Sequence, residues 1–197
     1  RHRWRADYRR ASYEAALWYL NHGDTTAAMQ HAMSSESPNL IGHIALRLAP
    51  DPRVRAEEIK EGVARLPDAY VHDSAPLALW IALMHTRSGR ARKDPLPFFR
   101  SAAKAARTHP TTVNTSERLI LAGIEACALQ RSGHATRATI AAQRFRDEMD
   151  ALIDSRRLDS SIVHSLAAIA YEVGSSLIDH HEYALAMDVF ELLEQLC

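Results

Sequence analysis

His181-Glu182-Tyr183-Ala184-Leu185-Ala186-Met187-Asp188-Val189-Phe190 decides the fold, because the spacing of this decapeptide recurs twice elsewhere in the chain. Ala186 follows His181 by five residues, as Ala28 follows Gly23 and Ala138 follows Gly133. Phe190, Ala32 and Ala142 follow those same turn positions by nine. A small residue one helical turn after a break is what a second helix needs to lie close against the first, and the later position fills space toward a neighbouring pair. The pattern predicts helical hairpins closed at Gly23, Gly133 and His181.

The flanking periodicity extends this reading. Tyr8, Ala11, Ala15 and Trp18 recur at three- and four-residue steps and predict an apolar stripe on a helix from about Arg5 to Asn21. Asp24 is placed to cap a second helix, Thr25 to about Met33, and Gly23 supplies the left-handed backbone that ends the first. Shorter helices are expected at Asn39–Leu48 and Val54–Leu66, bracketed by Pro38, Pro50 and Pro52, with Pro67-Asp68 as a stop. Ser74 caps an apolar helix, Ala75–Thr86, that ends at Ser88-Gly89. Pro95–Arg107 then runs to His109-Pro110. Ser116–Arg131 pairs with Ala135–Leu152, and Ser161–Asp179 with Glu182–Leu196. The expected fold is therefore all-α, a single domain over 1–197 of about ten helices stacked as hairpins.

Composition agrees. The 197 residues include 33 alanines, the strongest helix former, while aromatics make up 7%. A hydrophobic fraction of 47% supplies an ample core and excludes intrinsic disorder, collagen and a disulfide scaffold. Lys and Arg number 24 against 24 Asp and Glu, which leaves no overall attraction for DNA or an anionic membrane. Two cysteines, Cys127 and Cys197, fit a reducing, cytoplasmic setting. No apolar run approaches the ~20 residues that span a bilayer. The neutral total hides a basic stretch, Arg87–Arg107, and an acidic one, Asp147–Cys197. These read as solvated helix faces or as two partner surfaces.

The turn spacing is that of tetratricopeptide repeats, and the chain resembles a TPR-like solenoid, an α-α superhelix. Its turns at 23, 89, 133 and 181 lie 66, 44 and 48 residues apart, which implies longer and less regular pairs than the usual ~34 residues. A more specific resemblance runs from Tyr13 to Ala32, where Ala16, Trp18, Gly23-Asp24, Ala28 and His31-Ala32 follow the pattern A-x-W-x-x-x-x-G-D-x-x-x-A-x-x-H-A. That pattern is similar to the helical pair opening the sensor region of MalT-like, large ATP-binding regulators of the LuxR class. Arg65-Leu66-Pro67-Asp68 and Pro76-Leu77-Ala78-Leu79-Trp80 are similar to the segments that follow it. The resemblance implies an effector-sensing part of a longer transcription regulator, with a small-molecule effector or regulatory protein as partner and self-association as an output. The chain does not begin with Met, which fits such a piece. The alternative is a stand-alone scaffold that docks a peptide or protein.

Chemistry-bearing motifs are sparse. No G-x-x-x-x-G-K-[ST] loop is present to cradle a nucleotide triphosphate, so no nucleotide cofactor is expected, and no two-helix DNA-reading unit with a basic recognition helix is legible. Asp179-His180-His181-Glu182, with His164, is the densest group of metal-ligating side chains. Adjacent histidines point to different sides of a helix, so a solvated turn is expected and no metal site. Cys127 lies in an apolar helix with no activating base, which fits a buried structural thiol. No catalytic residues are assigned. If the first helix of each pair lines a concave groove, Trp18, His22, Trp80, His85 and Tyr171 become the ligand-binding candidates. An aromatic face beside a hydrogen-bonding histidine suits a sugar, nucleobase or peptide side chain, although Trp18 and Trp80 also fit core positions. Trp4, set among Arg1, Arg3, Arg5, Arg9 and Arg10, fits a seam to another domain or a stack on its own arginines.

Overall fold

A computed structural model describes residues 2–48, 66–87, 94–108, 115–155 and 160–196. Among them the chain forms ten helices and no strand: α1 His2–Asn21, α2 Thr25–Ser35, α3 Pro38–Leu48, α4 Asp68–Asp73, α5 Ala75–Arg87, α6 Leu96–Thr108, α7 Thr115–Arg131, α8 Ala135–Asp154, α9 Ser160–Asp179 and α10 Tyr183–Leu196. The all-α class read from alanine content and periodicity is thus correct. The helix expected at Val54–Leu66 lies, apart from Leu66, outside the described residues, as do the Ser88-Gly89 turn, the His109-Pro110 break and Cys197.

Three hairpins close with the same hydrogen bonds. In α1/α2, Gly23 N–H donates to the Leu20 carbonyl at 3.3 Å and Asp24 N–H to Tyr19 at 3.0 Å. In α7/α8 the pairs are Gly133 to Gln130 and His134 to Leu129, and in α9/α10 they are His181 to Ile178 and Glu182 to Leu177. This is the Schellman arrangement, and it requires a left-handed residue at the turn. Gly23 (φ 80°) and Gly133 (φ 83°) meet that requirement without strain, whereas His181 adopts φ 65° with a side chain attached. Five residues on, Ala28, Ala138 and Ala186 are all buried. Asp24 caps α2 as its position suggests, its Oδ1 accepting from Ala27 N–H at 3.0 Å.

The helix that Pro67-Asp68 is expected to stop lies outside the described residues; Pro67 itself stands at the N-cap of the short α4, where its fixed φ suits a helix start. The ring of Phe190 covers Gly174 on α9, its own hairpin partner.

Hairpin stacks on hairpin in the C-terminal half, α7 on α9 and α8 on α10. Arg131 pairs with Asp179 across the first seam at 3.5 Å and Arg146 with Asp188 across the second at 3.7 Å. The inner helices α3, α5, α7 and α9 pack in succession, and α9 also reaches back to α3. An open superhelix keeps distant repeats apart; here the four inner helices close on one another. The consequence shows in burial. Residues 74–83 of the α5 segment and 119–130 of α7 are buried without interruption, so these helices sit inside the molecule with no face left for a groove.

Candidate functional site

Enclosure of the inner helices redistributes the five groove candidates. Trp80, on α5, is 3% exposed and belongs to the core, which corrects its reading as a ligand-facing aromatic. His85, further along α5, is half-buried and stacks on Phe98 of α6 at 5.6 Å. The opposite neighbour of Phe98 is His72, at 5.4 Å, whose Nδ1 lies 2.8 Å from Ser101 Oγ. Tyr171 is exposed on α9 and meets Phe190 edge-on. Only Trp18 and His22 are brought together: their rings stack at 3.9 Å, and His22 Nδ1 donates to the Trp18 carbonyl oxygen at 2.7 Å.

Trp18 is 55% exposed, and it marks a larger correction. The row Tyr8, Ala11, Ala15 and Trp18, expected to face the core, looks outward. Its neighbour by one residue, Arg9, Ser12, Ala16 and Tyr19, rotated by about 100° on the helix, faces α2. Close approach of the two helices needs small residues, and the seam has Ser12 and Ala16 on α1 with Ala28 and Ala32 on α2, all buried. Tyr19 completes it by stacking flat on His31 of α2, 5.2 Å away. The outward row includes Trp4, 74% exposed, and its ring stacks on Tyr8 at 5.8 Å.

The start of α1, the end of α2 and the beginning of α4 together line an open groove. Two adjoining cavities, each of about 610 Å³, share Arg5, Arg9, Ser34 and Glu36. Trp4 and Tyr8 bound one of them; Leu66, Pro67 and Tyr70 bound the other. Glu36 is the αL residue that ends α2 (φ 54°), its N–H donating to the Met33 carbonyl. Its Oε1 accepts from Arg5 Nη2 at 3.1 Å, and its Oε2 accepts from Arg9 Nη2. The hydrogen bond from Arg5, followed by the charges of Arg9 and Arg5, holds the Glu36 carboxyl below its ordinary value against the opposing effect of burial. Arg9 Nε is buried with no hydrogen-bond partner among the described residues.

Sequence reading noticed Trp4 and the arginines but missed Glu36 and Tyr70. Glu36 lies 31 residues from Arg5 and 27 from Arg9, and no local periodicity links them. A Glu at the left-handed end of a helix, where Gly or Asn is usual, was the available signal.

Among the described residues no group of three His, Cys, Asp or Glu side chains is arranged to hold a metal ion, and no helix is long and apolar enough to cross a membrane. His180 Nδ1 donates to the Ser176 carbonyl oxygen while His181 Nδ1 lies 2.8 Å from the Tyr183 hydroxyl, so the adjacent rings serve different partners. The side chain of His164 lies outside the described residues. Cys127 is buried. Comparison with protein-family models, with curated proteins and with solved structures finds no match to this chain.

Proposed function

We propose that this chain is a binding and regulatory module and not an enzyme: the TPR-like, effector-sensing segment of a MalT-like regulator of the LuxR class, working in the cytoplasm. The observation that carries the reading is the recurrence of one hairpin design. Three helical pairs close with identical turn hydrogen bonds and bury an alanine five residues on, as repeat modules built for recognition do. The pair α1/α2 is the one bearing the family-like residues Ala16, Trp18, Gly23-Asp24, Ala28 and His31-Ala32. In that family's manner a small molecule or regulatory protein would favour one packing of the pairs and thereby control self-association. Reading the gene on both sides of these residues tests the proposal. A phosphate-loop motif before them and a helix-turn-helix after them are expected; a reading frame with neither overturns it.

The outward aromatic row of α1 favours a second reading, a scaffold that docks a helix or extended peptide. That reading predicts a reading frame without the ATPase and DNA-binding segments.

A further inference from the structure

We propose that the groove between the start of α1, the end of α2 and the start of α4 is a binding site for a small planar aromatic monoanion, of the aryl carboxylate type. Three features define the ligand. Trp4 and Tyr8 stack with their planes 20° apart and both line one cavity, and Tyr70 adds a further ring at the adjoining one. Flat π-systems gain from such rings, while an aliphatic chain would leave them poorly matched. Arg5 and Arg9 supply two guanidinium groups, and Glu36 offsets one of their charges, so the groove carries a single net positive charge. A monoanion balances it; a cation is repelled by the arginines and a dianion by the Glu36 carboxylate. Each cavity falls within the volume range of small-molecule sites, at about 610 Å³.

Donors are available for the ligand's carboxylate. Each Glu36 oxygen is engaged by only one nitrogen of one arginine, Nη2 in both cases, so Glu36 leaves the Nη1 groups of Arg5 and Arg9 unused. Each guanidinium has five N–H groups, so a second carboxylate fits beside Glu36 without displacing it. Glu36 then has a definite part: it holds both arginines in place while limiting the charge they present.

The inference rests on the effector-sensing reading for its biological role, but its chemistry rests on these residues alone. Calorimetric titration of the intact 197-residue chain with 2-naphthoate tests it, with 2-naphthamide as the neutral twin. Saturable one-to-one binding of the acid is expected, with the amide weaker by about tenfold or more. Arg9→Gln and Trp4→Leu should each weaken the acid by a similar factor, and Glu36→Gln should tighten it by removing the competing carboxylate. Absence of saturation at millimolar acid, equal affinity for acid and amide, or indifference to Arg9→Gln would overturn the site. The acid–amide comparison uses the unaltered chain, so it decides even where a variant fails to fold. Failure here with a phosphate loop and helix-turn-helix present in the gene removes this site and leaves the regulator reading. Binding in a frame without them does the reverse.

Discussion

Gly42 on α3 lies directly against the backbone where α5 begins: a β-carbon on Gly42 would stand 2.8 Å from the Pro76 carbonyl carbon and 2.9 Å from Leu77 Cα. Both neighbours are main-chain atoms, which cannot swing aside as a side-chain tip can. Gly42→Ala must therefore push α3 and α5 apart, against two helices of the closed inner four. Alanine would gain about 1 kcal/mol in helix propensity, and overpacking is expected to exceed that. A net loss of about 2 kcal/mol is expected, read as a lower urea midpoint with unchanged slope. A neutral or stabilising result would mean that the two helices are not in close contact.

The turn residues give a paired test in which space is not the issue. A β-carbon at Gly133 meets nothing within 4 Å, so any cost of Gly133→Ala comes from its φ of 83°. About 1 kcal/mol of destabilisation is expected. His181 occupies the equivalent turn at φ 65° with the strain already present. His181→Gly should stabilise by about 0.5 kcal/mol, the relief of strain being partly offset by a freer unfolded chain. Thermal unfolding of the two variants should shift in opposite directions.

How far the sequence discloses this molecule depends on the distance over which a feature is encoded. Turns at Gly23, Gly133 and His181 are local, and their positions, the capping role of Asp24 and most helix bounds are legible. The direction in which α1 faces is not, because Tyr8–Ala11–Ala15–Trp18 and Ser12–Ala16–Tyr19 are both acceptable rows, and only the small residues of α2 choose between them. Trp80 was misplaced for a related reason. Residues 75–84 of α5 are apolar on every side and residues 119–129 of α7 are interrupted only by Glu125, so periodicity shows no outer face, and the packing of α9 on α3 that encloses them depends on residues more than a hundred positions apart. The Arg5–Glu36–Arg9 clamp is likewise a product of folding.

Gln130 gives a test inside the core. It is 2% exposed on α7, and neither its side-chain oxygen nor its nitrogen has a hydrogen-bond partner among the described residues. A buried amide without partners loses its hydration uncompensated, and an apolar group of like shape avoids that loss. Gln130→Met is expected to raise stability by about 1 kcal/mol. A fall in the unfolding midpoint would reveal that the amide is bonded.

Acid should loosen the Glu36 clamp in a defined way. The carboxyl is held below its ordinary value in the folded chain, so the unfolded state binds the proton more tightly. Its contribution is complete above the ordinary carboxylate range and is lost as pH falls through the lower folded value. Because the Arg5 side chain is 65% exposed, solvent screening keeps the effect modest. Carbon-detected NMR titration should place the Glu36 midpoint below that of an unfolded Glu, and Arg5→Gln should move it upward. An unchanged midpoint in Arg5→Gln would dissociate the shift from this hydrogen bond.

The two tryptophans first read as equivalent groove residues should separate sharply on substitution. Trp80 is almost fully enclosed within the core cluster that includes Leu77, Ile81 and Phe99, and removing it leaves a cavity bounded by helices that cannot collapse freely. Trp80→Ala is expected to cost about 3–5 kcal/mol. Trp18 is more than half exposed, and its principal ring partner, His22, is also at the surface. Truncating it removes mostly solvated area, and Trp18→Ala should cost under about 1 kcal/mol. Urea unfolding followed by circular dichroism measures both variants in the same units. Comparable losses would mean that the α1 row is covered in solution, which would place it against a partner surface.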